Sequence, residues 1–315
     1  MFRRKGKKVI CICMLLSFFS MSVVANIVSN KIDHQLRSTN RTTIIVDAKG
    51  YGDCTTIQCA LDLCHDGDRI EVYSGYYPEY VNRSDRVQIT IQGHPGEYKN
   101  GSDDYRPIVD GCRITSVFTF LNMQNLKMDG FYICNSSLNG NNVGIYLRDC
   151  VSCIINNNTV NNSEYGIVCD SCDHGNCQIT KNIINNTIWS GIYMSSSSED
   201  FITNNHIHNS GYNAITLVNC RYNLIYYNDL SSNMKDGIKI ISDPPFTFQI
   251  GFNQILSNNI VGNGQECEQE FSFLNQWLGN WWGKPMGMKI IFCFPPIIDR
   301  HPTPVPYNIT MWPNY

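Results

Sequence analysis

Five cysteines, Cys150, Cys153, Cys169, Cys172 and Cys177, fall within 28 residues of the sequence. Cys150-x2-Cys153, a gap of fifteen, then Cys169-x2-Cys172 formally fits a four-thiolate zinc template. Soft donors also suit copper, and His206 and His208 could share one such ion. A charged group, Arg148, Asp149, Asp170, Asp173 and His174, lies interleaved with these cysteines. Acid–base work on a carbohydrate, or calcium binding, would require several of its carboxylates to converge. Tyr146, Tyr193 and Lys239 suggest a different chemistry, in which sugar rings stack on aromatic faces and hydrogen-bond to a flanking cation.

Which of these groups can meet depends on the elements that carry them. Of the 315 residues only 16% are charged, against about 25% in an ordinary globular chain. Asparagine takes up the difference: there are 36, and 25 of them fall between Asn135 and Asn263. Low charge and the absence of helical periodicity exclude a coiled coil or helical bundle. A formal net charge of −3 excludes a nucleic-acid footprint. Regular Ile, Val and Leu with 11% aromatic residues supply enough burial to exclude disorder.

The decisive pattern is internal repetition. Gly144-Ile145-Tyr146, Gly166-Ile167-Val168, Gly191-Ile192-Tyr193, Ala214-Ile215-Thr216 and Gly237-Ile238-Lys239 recur every 22 to 25 residues. Two residues after each Ile stands Leu147, Cys169, Met194, Leu217 or Ile240. Between them runs a second series, Asn158, Asn182, Asn205, Asn228 and Asn253, with Ile155, Ile179, Ile202, Ile225 and Ile250 three before and Val160, Ile184, Ile207, Leu230 and Ile255 two after. Spacing by two is the strand period. A unit this short cannot bury its inner face alone, but stacked units bury the columns as ladders with rungs about 4.8 Å apart. The L-x-x-L-x-L-x-x-N pattern of leucine-rich repeats is missing, so the reading is a single-stranded parallel β-helix, all-β. Asn at its turns would accept left-handed backbone and bond the coils above and below.

This frame sorts the reactive groups. Cys169 falls in an inward column. Cys150 and Cys172 fall on adjacent coils, as do Cys153 and Cys177, within reach of a Cys150–Cys172 and a Cys153–Cys177 disulfide; stacked free thiols and a metal site remain open. His206 and His208 flank inward Ile207 and point outward, either to share an ion or to be solvated. Arg148, Asp149, Asp170, Asp173 and His174 meet near one corner, catalytic or merely solvated. Tyr146, Tyr193 and Lys239 share an outward column, with the two tyrosines two rungs, about 10 Å, apart. That is a stacking platform for an extended glycan, although exposed Tyr also suits any strand.

Residues 1–25 read as a signal peptide or uncleaved signal anchor: Arg3, Arg4, Lys5, Lys7 and Lys8 precede an apolar run from Val9 to Phe19. Removing them takes away five positive and no negative charges, so −3 becomes −8. Residues 26–43 read as a linker, 44–263 as the β-helix and 264–315 as a C-terminal cap or fold-back segment. Thr55-Thr56-Ile57-Gln58 is a capping-box pattern opening a short helix whose Ile57, Ala60, Leu61 and Cys64 share a face, a plug for the N-terminal end of the coil. Export favours disulfides among the thirteen remaining cysteines. It also makes Asn40, Asn82, Asn100, Asn135, Asn157, Asn161, Asn185 and Asn308 candidate glycosylation sites. The expected location is extracellular or at the cell surface, with membrane contact only through an uncleaved anchor.

The opening segment Val46-Asp47-Ala48-Lys49-Gly50-Tyr51-Gly52-Asp53, then Thr56-Ile57-Gln58-Cys59-Ala60-Leu61-Asp62, Asp66-Gly67-Asp68 and Gly75-Tyr76-Tyr77-Pro78-Glu79, with the glycine-isoleucine strands, resembles the pectin-lyase-like superfamily. Within it the chain is similar to proteins of the periplasmic copper-binding NosD type, as in exported archaeal repeat proteins. Asn280-Trp281-Trp282-Gly283-Lys284-Pro285 and the segment from His301-Pro302 to Pro306-Tyr307 resemble a C-terminal region of some of these. The resemblance implies a right-handed coil with an N-terminal capping helix. For function it implies a wide range, because the superfamily hosts lyases, hydrolases, esterases, epimerases and inactive binders. Gly75-x-Tyr77-x-Glu79 resembles the first esterase motif, but the later Asp-Pro-His-Asp, Gly-His-Gly and Arg-x-Lys signatures are missing beyond the signal segment. The expectation is therefore an exported, non-catalytic surface protein that binds a glycan or a protein partner. A polysaccharide lyase, hydrolase or epimerase is the alternative, and envelope copper handling the second, with calcium or copper the cations these would require.

Overall fold

The computed structural model describes residues 42–99, 105–138, 140, 142–242, 249–270, 272–284, 289–291, 295–299 and 301–309. The expected signal segment, all but the last two linker residues, Asn40 and Asn100 lie outside them. Each coil contributes three short strands in the same order, as in Lys127–Asp129, Tyr132–Cys134 and Val143–Arg148. These stack into a first sheet of twelve strands and a second and third of eight each. Apart from the pair Lys289–Ile291 and Ile297–Asp299, every paired strand is parallel to its neighbour. The result is a right-handed parallel β-helix, the hand that parallel crossovers take.

The glycine-isoleucine columns hold in register across five coils, Ile145↔Ile167↔Ile192↔Ile215↔Ile238 and Leu147↔Cys169↔Met194↔Leu217↔Ile240. All ten side chains are buried. The other two columns depart from expectation at the last coil. Ile225 pairs with Ile255, not Ile250, and Leu230 pairs with Ile260, not Ile255. That coil is longer: Asn228 is followed 30 residues later by Asn258, whereas earlier steps are 23 or 24. Asn253-x-Ile255 and Asn258-x-Ile260 look alike in sequence, so a fixed step selects the wrong one.

The corrected column, Asn158, Asn182, Asn205, Asn228, Asn258 and Asn280, is buried. In each of the first five, the backbone N–H donates to the Oδ1 of the next coil's Asn at 2.9–3.0 Å. Each Nδ2 also donates to that same oxygen and to a backbone carbonyl of the preceding coil, as Asn205 does to Ile179 O at 2.8 Å. Every polar atom of the buried amide is therefore used. The left-handed backbone falls not on these Asn but on the residue before each: Asn157, Lys181, Asn204, Tyr227 and Ser257 have φ between 54° and 56°. A second ladder runs through Asp200, Asn223, Asn253 and Asn275, and a third through Ser210, Asn233 and Asn263.

Helix α1 (Ile57–Leu63) buries Ile57, Ala60 and Leu61, and its N-cap is Thr56, whose hydroxyl accepts from Cys59 N. The cap falls one residue later than the expected box because Glu79, not Gln58, completes it, accepting from Ile57 N at 2.8 Å and Gln58 N at 3.0 Å. The esterase-like Glu79 thus has a structural task, with burial raising its carboxyl above the ordinary range. The helix packs against Thr43–Val46 and Val81–Ser84, the N-terminal edge strands of two sheets. A disulfide, Cys54–Cys59, ties it to the preceding turn. At the other end the coil passes the expected limit of residue 263: Gln265–Glu270 extends the third sheet and Gln276–Leu278 the first.

Cys150, Cys153, Cys172 and Cys177 are buried free thiols, so the expected Cys150–Cys172 and Cys153–Cys177 bridges are not formed. All four stand in the turns between third-sheet and first-sheet strands, outside the paired registers, where backbone carbonyls lie within reach of the sulfurs. Each thiol instead donates to the carbonyl two residues earlier: Cys150 to Arg148 O at 3.3 Å, Cys153 to Val151 O at 3.6 Å, Cys172 to Asp170 O at 3.7 Å. Native protein should therefore resist iodoacetamide at all four, and each of the four should take up a label once the chain is unfolded without reductant. Labels that appear only after reduction would show bridges.

Candidate functional site

The outer face of the third sheet carries the residues of greatest chemical interest. Its central column reads Thr119, Tyr146, Val168, Tyr193, Thr216, Lys239 and Glu268 in register. A neighbouring column reads Leu121, Arg148, Asp170, Ser195, Val218, Ile241 and Glu270. Alternation along each strand turns these side chains outward whenever Ile145 and Leu147 and their equivalents turn inward. Tyr146 and Tyr193 are half-buried and two rungs apart, with Lys239 two rungs further.

Several residues that the column reading missed complete this face as a groove. Tyr165 meets Tyr193 edge-on at 5.6 Å, Trp189 meets Tyr212 edge-on at 5.6 Å, and Lys235 Nζ lies 4.1 Å above the Tyr212 ring. The signal was present in the repeat. Glu164, Trp189, Tyr212 and Lys235 each stand two residues before the repeat glycine or its alanine equivalent, and Trp189 N donates to Glu164 O and Lys235 N to Tyr212 O, each at 2.9 Å. One hollow of about 350 Å³ lies over Tyr146, Tyr165, Val168, Asp170 and Tyr193. A second, of about 220 Å³, shares Tyr165 and Tyr193 and continues past Trp189 and Tyr212 to Lys239. Together they form one aromatic trough running along the helix axis.

Its ends are charged. Tyr146 OH donates to Asp170 at 3.1 Å, while Arg148 Nε sits 3.6 Å from Asp149 and 3.7 Å from Asp170. Burial and then the Asp170 charge push the Tyr146 phenol up to about 12, so it stays protonated. At the far end Lys239 Nζ is 2.8 Å from Glu268 and 3.2 Å from Glu270. Beneath it Asp236 is buried, and desolvation lifts its carboxyl to about 6.

The expected corner of charges divides into separate ion pairs. Arg148, Asp149 and Asp170 belong to the trough. Asp173 is held instead by Ser198 Oγ at 2.5 Å and Arg221 at 3.4 Å, and His174 Nδ1 by Glu199 at 2.8 Å. His206 and His208 sit on the second sheet with ring centroids 4.7 Å apart, and His206 Nδ1 is 3.0 Å from Asp229. Burial, then the neighbouring His206, lowers the His208 imidazole. Among the candidate glycosylation sites, Asn82 and Asn308 are exposed. Asn135, Asn157 and Asn161 are half-buried and commit Nδ2 to Asp110, Asp129 and Tyr132 respectively, and Asn185 Oδ1 accepts from Asn209.

Residues 81–287 match the family described as Periplasmic copper-binding protein (NosD). The chain belongs to the NosD family. A periplasmic family is consistent with export, and among the described residues no helix is long and apolar enough to cross a membrane. No curated protein matches the chain. Among solved structures, a rhamnogalacturonan lyase aligns with TM-score 0.56 at 11% identity, over 82% of this chain and 79% of that one. XylC in complex with xylose aligns at 0.50 and 11%, over 80% and 71%. Tailspike protein 2 of Escherichia coli O157:H7 bacteriophage CAB120 aligns at 0.50 and 13%, over 68% and 31%. At these identities the likeness is one of fold.

The copper in the family's description does not fit the donors found here. Among the described residues no three His, Cys, Asp or Glu side chains are grouped to hold a metal ion. Thiolate, not thiol, is the soft ligand. Here contact with Cys150 raises the Cys153 thiol, contact with Cys153 raises that of Cys177, and burial lifts that of Cys220 to about 12.

Proposed function

We propose that this NosD-family protein is an exported binder whose third-sheet trough holds an extended glycan. The observation that carries the reading is the paired-ring platform: Tyr146 and Tyr193 two rungs apart, with Tyr165, Trp189 and Tyr212 forming the side of the same trough. Aromatic faces supply apolar contact for the C–H side of sugar rings, and Ser195, Thr216 and Asn213 supply polar groups beside them. Binding without turnover is favoured by the chemistry of the lining. Asp170 is the single carboxylate lining the first hollow, and the phenol beside it is pushed away from, not toward, the pKa a proton-abstracting base needs. Two solved structures of this fold, the rhamnogalacturonan lyase and XylC with xylose, carry carbohydrates in their names.

Calorimetric titration with a panel of hexasaccharides tests this. Tyr193→Ala should weaken binding about tenfold, the loss of about 1.4 kcal/mol of ring contact. Equal affinity in wild type and variant would remove the trough as the site. Unsaturated products from uronate polymers, seen as rising ultraviolet absorbance, would replace a binder with a lyase.

A further inference from the structure

Resting on the glycan reading, we infer that the trough selects neutral oligosaccharides of about four sugar units and disfavours uronates. The charges around it carry the class. Three cations border the trough, Arg148, Lys235 and Lys239, and each is already engaged. Arg148 lies between Asp149 and Asp170 at 3.6 and 3.7 Å, and Lys239 between Glu268 and Glu270 at 2.8 and 3.2 Å. Lys235 donates to Tyr212 OH at 2.8 Å while lying over its ring. Four carboxylates thus oppose three cations, before the buried Asp236 is considered. The one guanidinium at the trough, Arg148, has its Nε beside two carboxylates, whose charges oppose the approach of a third carboxylate to the fork that favours such ligands. Each uronate ring would add a negative charge to a surface already negative.

The length follows from the register. Tyr146, Val168, Tyr193, Thr216 and Lys239 occupy five successive rungs, a span of roughly 19 Å at the rung spacing. Rings lie at the first and third rungs, and the Lys239 ion-pair cluster closes the fifth. A chain lying along the axis runs from the Tyr146–Asp170–Arg148 group across the ring faces to the Lys239 cluster, so a charged group bounds it at each end.

The test is titration of the full chain with xylose, mannose and glucose oligomers of two to six units, and with oligogalacturonate and oligomannuronate of the same lengths. Neutral oligomers should bind at least about tenfold more tightly than uronates, as like-charge juxtaposition requires. Their affinity should rise up to about four units and then level, and should change little with added salt. Glu268→Gln with Glu270→Gln releases Lys239 and should raise uronate affinity about tenfold. Uronates binding more tightly than neutral oligomers, and losing affinity in Tyr193→Ala, would overturn the neutral class and leave the trough as a glycan site. Binding by neither class would overturn the glycan reading itself.

Discussion

Replacing Asp299 by alanine should loosen the C-terminal end of the coil by about 3–5 kcal/mol, the cost of leaving several buried donors unpaired. Asp299 is fully buried and ends the main asparagine ladder. Its Oδ2 accepts from Asn280 N at 2.9 Å, Asn280 Nδ2 at 3.3 Å and Trp282 Nε1 at 3.1 Å. Its Oδ1 accepts from Gly279 N and His301 N, both at 3.1 Å. An asparagine inside the ladder needs both an acceptor and a donor, because a coil lies on each side of it. The last position faces donors alone, which is why a carboxylate stands there. Asp299→Asn should therefore fail to rescue, since its amide would aim N–H groups at N–H groups. In a stacked-repeat architecture the damage should begin locally. Hydrogen exchange at Gly279, Asn280 and Trp282 should accelerate first, followed by a lower melting temperature. Unchanged protection at Asn280 would show that the carboxylate does not hold the end.

The same contrast between interior and end explains what the sequence made legible. Interior coils repeat because every rung solves the same problem, so Gly144, Gly166, Gly191 and Gly237 could be aligned by eye and their columns paired as expected. A Cβ at Gly191 would meet Ile207 Cγ2 at 2.3 Å and Ala214 O at 3.0 Å, so crowding at the strand entry keeps that signal in the sequence. The ends obey no repeat. Nothing in the spacing of Asp299 or Glu79 announces that each caps a different element, because their partners lie about 20 residues away in a unique geometry. The long coil before Asn258 misled for a related reason: two N-x-I units five residues apart satisfy the same local pattern, and only pairing distinguishes them.

The trough was half legible. Its floor follows from strand alternation, which puts Tyr146, Tyr193 and Lys239 outward. Its side depends on residues two before the repeat glycine, where Glu164, Trp189, Tyr212 and Lys235 share a column but no residue type. The cysteines show the opposite limit. Their adjacency was readable, but bonding depends on where each sulfur turns, and in these turns the thiols meet backbone carbonyls two residues earlier.

Asp200 carries the second large effect, and it depends on pH. It occupies an asparagine position in the second ladder: its N–H donates to Asn223 Oδ1 at 2.9 Å, and its Oδ1 accepts from Cys177 N at 2.7 Å. In the coils above, Asn223 Nδ2 donates to Ser197 O and Asn253 Nδ2 to Cys220 O. Asp200 Oδ2, buried and without a hydrogen-bond partner, stands where that amide would be. A proton on Oδ2 would restore the missing donor. Burial, with smaller help from Asp173 and Glu199 and against the Cys177 N–H, pushes the carboxyl up to about 7. A raised folded-state value means that the folded chain holds the proton more tightly than the unfolded one, so the stability it contributes is complete below about pH 4 and is lost as pH rises through about 7. Asp200→Asn supplies the donor permanently and removes the titration. The variant should match wild type near pH 4 and exceed it by up to about 4 kcal/mol at pH 8, because each tenfold change in proton affinity between the folded and unfolded chain is worth about 1.36 kcal/mol. Urea unfolding midpoints measured from pH 4 to pH 8 decide the matter. Curves for the two proteins that stay parallel across this range would mean that Asp200 is not the proton held on folding.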